Sequence, residues 1–135
     1  MKSRIFILLL IAGCTTPPTP HVQQTYPTGE KRVEYLYVGD DSLNREERTY
    51  HNNGKLLSSG IIEGGKRIGV WKSYYPDSTI WSEHFYIDGE MHGDYRVNHP
   101  NGKPRIVGKF DNGKEIGTWY FLGEAGDTLT VREMN

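Results

Sequence analysis

Along Gly69 to Tyr75 the chain alternates between two registers. One holds Trp71, Ser73 and Tyr75, and the other holds Lys72, which favours water. The same split recurs with Tyr95, Val97 and His99 against Arg96, and with Trp119, Phe121 and Gly123 against Tyr120. A period of two is the mark of a strand with one packed face. Turn signals separate these runs. Gly64-Gly65, Asp88-Gly89 and Asn112-Gly113 form one series, and Asn53-Gly54, Asp77-Ser78 and Asn101-Gly102 form another, with Pro76 and Pro100 just ahead of it. Asn-Gly and Asp-Gly are strong hairpin signals because both residue types accept positive φ. No segment carries a helical period, so strands joined by tight turns are predicted throughout.

The strands repeat. Gly65, Gly89 and Gly113 are spaced by 24 residues, as are Gly69, Gly93 and Gly117, and as are Trp71, Tyr95 and Trp119. Further columns hold Gly54, Ser78, Gly102 and Gly126, and Ile62, Tyr86 and Phe110. Two turns per period leave two strands, which predicts an all-β fold: an elongated single-layer antiparallel meander of repeated β-hairpins. Trp71, Tyr95 and Trp119 fall on one face, with Ile62, Tyr86 and Phe110 reaching them across the hairpins. A lone hairpin buries too little to fold, so stability comes from stacking neighbours. The open ends need blunting, a role the reading gives to Arg45, Glu46, Glu47 and Arg48 and to Arg132 with Glu133.

The N-terminus differs. Lys2 and Arg4 precede the apolar run Ile5 to Ile11, which is too short to span a bilayer and fits an export signal. Ile11-Ala12-Gly13-Cys14 resembles the bacterial lipoprotein lipobox, which implies cleavage before Cys14 and acyl chains on it; Cys14 is also the only cysteine. The domain reading is therefore a signal peptide over 1–13, a lipidated cysteine with a Pro/Thr-rich tether over 14–29, and a repeat domain over 30–135. His21 and Tyr26 are expected to be solvated within the tether. Removing the signal takes Lys2 and Arg4 from 16 basic residues, leaving 14 against 17 acidic ones. A mildly acidic chain argues against nucleic-acid binding.

The run Gly65-Lys66-Arg67-Ile68-Gly69-Val70-Trp71-Lys72-Ser73-Tyr74-Tyr75-Pro76-Asp77-Ser78 resembles the bacterial variant of the MORN (membrane occupation and recognition nexus) repeat. The resemblance extends over roughly residues 45 to 130, with a degenerate unit at Val33 to Val38. The middle unit departs from it at Glu90, Tyr95 and Asn98, where the pattern has Lys, Trp and Tyr. It implies a sheet of successive hairpins and no shared activity; proteins with this repeat are often described as antitoxins.

Candidate chemistry is sparse. His84, His92 and His99 are spaced unlike a zinc pattern, and no cysteine joins them. Asp40-Asp41 and Glu46-Glu47 are adjacent pairs, whose side chains a strand sends to opposite faces. The serines lie in no nucleophile elbow, and the glycines mark periodic turns rather than a phosphate loop. The expectation is a protein that is not an enzyme and has no metal and no cofactor. Partner-binding candidates are the residues that break the repeat, namely Trp81, Tyr95, His84 and His92. The functional expectation is a membrane-anchored scaffold for protein-protein binding at the bacterial cell envelope, lipid-anchored and facing the periplasm from the outer membrane. A glycan or peptidoglycan binding module, using the aromatic row Trp71, Tyr95 and Trp119 with Tyr74 and Trp81, is one alternative; an antitoxin or immunity-like protein is another.

Overall fold

The computed structural model describes residues 19–37 and 42–134. The signal peptide and Cys14 lie outside the described residues. Eleven strands form one antiparallel sheet: β1 (Pro20–Thr25), β2 (Lys31–Tyr37), β3 (Arg45–Tyr50), β4 (Leu56–Glu63), β5 (Lys66–Tyr74), β6 (Ile80–Ile87), β7 (Glu90–Met91), β8 (Gly93–Asn98), β9 (Pro104–Asp111), β10 (Lys114–Leu122) and β11 (Thr128–Met134). The strands follow one another in chain order, with β7 and β8 both pairing with β6. This is the predicted all-β meander of hairpins.

The turns follow the sequence columns. Gly64, Asp88 and Asn112 have φ of 55°, 50° and 46°, and the glycines after them 79°, 90° and 78°. Two successive positive values define the primed turn that matches the twist of a hairpin. At the other end of each hairpin, five equivalent turns close with a backbone bond from the fourth residue to the first, as from Gly54 N to His51 O and from Ser78 N to Tyr75 O.

Both series of turns also tie one unit to the next. Gly65, Gly89 and Gly113 donate their amides to Leu43 O, Arg67 O and Met91 O in the preceding unit. On the other side, the first side chain of each turn reaches a carbonyl of the following unit: Tyr26 Oη donates to Tyr50 O at 2.7 Å and Tyr75 Oη to Asn98 O at 2.8 Å. His51 Nε2 lies 2.9 Å from Tyr74 O and His99 Nε2 lies 2.8 Å from Leu122 O. Gly123 holds the corresponding place in the last turn and ends the series. The histidines His51 and His99 are thus polar aromatic substitutes for tyrosine.

Two expectations change. Tyr26 opens the first of these turns, its amide bonded to Glu30 O, and β1 pairs with β2. Among the described residues the sheet therefore begins at Pro20 rather than at residue 30, and Tyr26 is half-buried rather than solvated. All six residues of β1 are exposed, so composition gave no core signal; backbone pairing and the Tyr26 hydroxyl hold it. The charged run Arg45 to Arg48 does not blunt an edge, since β3 lies between β2 and β4. Its charges pair along the strand instead, Arg48 with Glu46 at 2.7 Å and Arg45 with Glu47 at 3.6 Å. Arg132 and Glu133 do lie on an edge strand, β11.

The packed face carries the core. Ile62, Trp71, Val97 and Trp119 are buried, and rings chain along it from Tyr95 to Phe110 at 5.2 Å and to Trp119 at 5.1 Å. Trp71 meets Tyr86 edge-on at 6.3 Å. Near the N-terminal end Glu34 is buried, accepting bonds from Lys31 Nζ at 2.8 Å and Tyr50 Oη at 2.6 Å. These bonds hold its carboxyl below the usual range.

Candidate functional site

The β4–β5 and β9–β10 hairpins each contain a large bulge. Between Ile61↔Ile68 and Ser59↔Lys72, the single residue Gly60 faces the three residues Gly69 to Trp71. Gly108 likewise faces Gly117 to Trp119. Gly69, Gly93 and Gly117 have φ of 63°, 79° and 63°, which lets the chain turn out and return. The indoles of Trp71 and Trp119 then lie flat on Gly60 and Gly108, in space that a Cβ would occupy.

The middle unit solves the same problem differently. His84 stands in the column of Gly60 and Gly108, and Tyr95 in that of Trp71 and Trp119. A side chain replaces a hydrogen while the facing ring shrinks from indole to phenol, and the two rings meet at 4.6 Å. The column Gly60, His84 and Gly108 has the same 24-residue spacing and is the sequence signal for this exchange. Burial, and then the nearby charge of Arg67, lower the His84 pKa and favour the neutral ring. Burial also raises the pKa of Tyr95, with Glu115 adding to it.

Trp81 belongs to a second series of bulges. The ladder steps from Ser73↔Ser82 to Tyr74↔Ile80, so Trp81 has no partner across the strand pair. Leu57, Arg105 and Leu129 occupy the same position in neighbouring units. Freed from pairing, Trp81 is 42% exposed, and its ring lies 6.4 Å from that of Tyr75.

The structure brings Trp81, His84 and Tyr95 together around one cleft on the packed face. His92 lies apart. It lines a larger groove with Val70, Ile80, Glu83, Phe85 and Arg96, which His84 also borders, and its Nδ1 is 3.3 Å from Asp111 Oδ1. His99 is in the turn series, distant in register from both. Trp119 is 3% exposed and Trp71 6%, so neither offers a free face as part of an aromatic row.

The open face carries features that the sequence reading passed over. Val70 and Phe85 stand directly opposite each other there, 46% and 41% exposed, beside Ile61 and Ile87. Alternation alone did not reveal them, because Lys72 and Arg96 set the expectation of a wet face.

No curated protein matches the chain. A family model described as the MORN repeat variant matches residues 67–88 and 91–112. Each matched stretch runs from the second strand of one hairpin to the end of the next strand, and the two adjacent repeats have the 24-residue spacing of the sheet itself. The chain is thus a repeat protein in which two adjacent central units match the MORN repeat variant.

Proposed function

We propose that this protein is a non-catalytic scaffold that binds a protein partner at the bacterial cell envelope, held there by acyl chains on Cys14. The observation that carries the reading is the groove of about 740 Å³ on the open face, where Val70, Ile80 and Phe85 lie exposed between Glu83, Arg96 and His92. Apolar side chains on the wet face of a single-layer sheet add nothing to its own core. Rimmed by charge, they are what a partner surface requires. The repeat supplies a rigid frame, and the lipobox-like Ile11 to Cys14 supplies the anchor.

The test is photo-crosslinking in cells from position 85, with Val70→Glu as the comparison. A discrete crosslinked protein that disappears in Val70→Glu is expected, and crosslinks to lipid alone or to nothing would count against the reading. Labelling with a fatty acid, compared between wild type and Cys14→Ala, tests the anchor separately.

A further inference from the structure

The packed face is hollow between the rings of Trp71 and Trp81. A cleft of about 200 Å³ opens there, at the unit where His84 and Tyr95 replace the Gly and Trp of the neighbouring repeats. Its floor is a row of hydroxyls. Ser58, Ser73 and Ser82 stand directly opposite one another across β4, β5 and β6. Ser58 is bonded to Thr49 at 2.7 Å, whereas no side-chain hydrogen bond forms at Ser73 or Ser82 among the described residues. Continuing along the row, the next residues on one side are Val97, Ile106 and Phe121, and on the other Thr49, whose hydroxyl is taken up by Ser58.

The walls have three further properties. They are aromatic, with Tyr86, Tyr95 and the edge of the buried Trp71, and the exposed ring of Trp81 supplies the free face. They contain an unmet polar atom, since His84 Nε2 is buried without a hydrogen-bond partner. A neutral imidazole there can pair with a hydroxyl whichever tautomer it adopts. They also end on a cation: the Arg67 guanidinium lies 4.1 Å from the Trp71 ring and 5.6 Å from the Tyr86 ring, and among the described residues it forms no ion pair with an acid.

Each property selects a ligand feature. Flat rings favour a ligand with an apolar face. Free serine hydroxyls and a neutral imidazole favour groups that both donate and accept, which are hydroxyls. An arginine without an acid favours a carboxylate, held by charge-assisted bonds. The cleft is smaller than sites for drug-sized ligands, which matches a ligand of about one ring. We infer that this cleft binds a sugar ring bearing a carboxylate. The inference does not rest on the protein-partner reading: the groove around Val70 and Phe85 shares only His84 with this cleft, and either can fail alone.

The experiment is calorimetric and fluorescence titration of the full chain with three probes: a disaccharide containing glucuronic acid, a cell-wall disaccharide containing muramic acid, and neutral chitobiose. Binding of an acidic sugar in the range of about 0.1 to 1 mM, with a change in tryptophan emission, is expected, and chitobiose should bind about tenfold more weakly. Arg67→Gln should abolish that tenfold preference, and Trp81→Ala should weaken every probe about tenfold. Thr130→Ala, which lines neither cavity, should bind as wild type, and strand circular dichroism checks that each variant is folded. Binding of one acidic sugar but not the other supports the inference and names the source. It is overturned by no saturation with any probe at about 10 mM, by equal affinity for neutral and acidic sugars, or by binding indifferent to Arg67→Gln and Trp81→Ala.

Discussion

The indole of Trp71 lies on the backbone of Gly60, filling the space in which any other residue would place its Cβ. Gly60→Ala should therefore destabilise the sheet by about 3 kcal/mol or more, since either the ring or a strand must move. Ser59→Ala, one residue earlier on the open face, should stay within about 0.5 kcal/mol of wild type. Urea unfolding of the two variants checks the difference.

The pair His84 and Tyr95 answers the same packing need as Gly60 with Trp71. His84→Gly alone leaves a gap, and Tyr95→Trp alone drives an indole into the imidazole. Combined, they recreate the outer unit. A double-mutant cycle should give a favourable coupling of about 1 to 3 kcal/mol, and additive losses would refute the equivalence.

Ser78 has φ of 78° where the equivalent turns have Gly54, Gly102 and Gly126. A side chain in that region costs about 1 kcal/mol, and its amide bond to Tyr75 O needs no side chain. Ser78→Gly should thus raise stability by about that amount, read as a higher urea midpoint at unchanged slope.

Tyr26 ties the first turn to the carbonyl of Tyr50. Tyr26→Phe should cost about 1 kcal/mol and speed amide exchange selectively in β1 and β2. Unchanged exchange there would show that backbone pairing alone holds the edge.

Stability should fall in acid in two stages. The His84 pKa is lowered from 6.5 by burial, so the unfolded chain takes up its proton first and stability drops as the pH falls below about 6.5. The Glu34 pKa is lowered from 4.5 by its bonds to Lys31 and Tyr50, so its contribution is present above about 4.5 and is lost as the pH falls further. His84→Gln should flatten the upper stage only, and Glu34→Gln the lower one, in urea midpoints measured against pH.

The period, the strand class and the packed column can be read from the chain alone, because glycine at positive φ and aromatics in alternation are local requirements written at every repeat. Gly65, Gly69 and Trp71 could be assigned roles from spacing alone. The chain also points to Trp81 and His84 as residues outside the rule. What that departure does depends on how the strands come together in space. Whether Gly60 is a bend or a seat for an indole depends on which ring arrives from the next strand, and that ring is eleven residues away. Tyr26 and β1 were illegible for a related reason: an edge strand with every residue exposed carries no hydrophobic signal, and its place is set by backbone bonds to a neighbour. The cleft is the same kind of feature. Ser58, Ser73 and Ser82 are unremarkable along the chain and become one polar floor only when strand register sets them side by side.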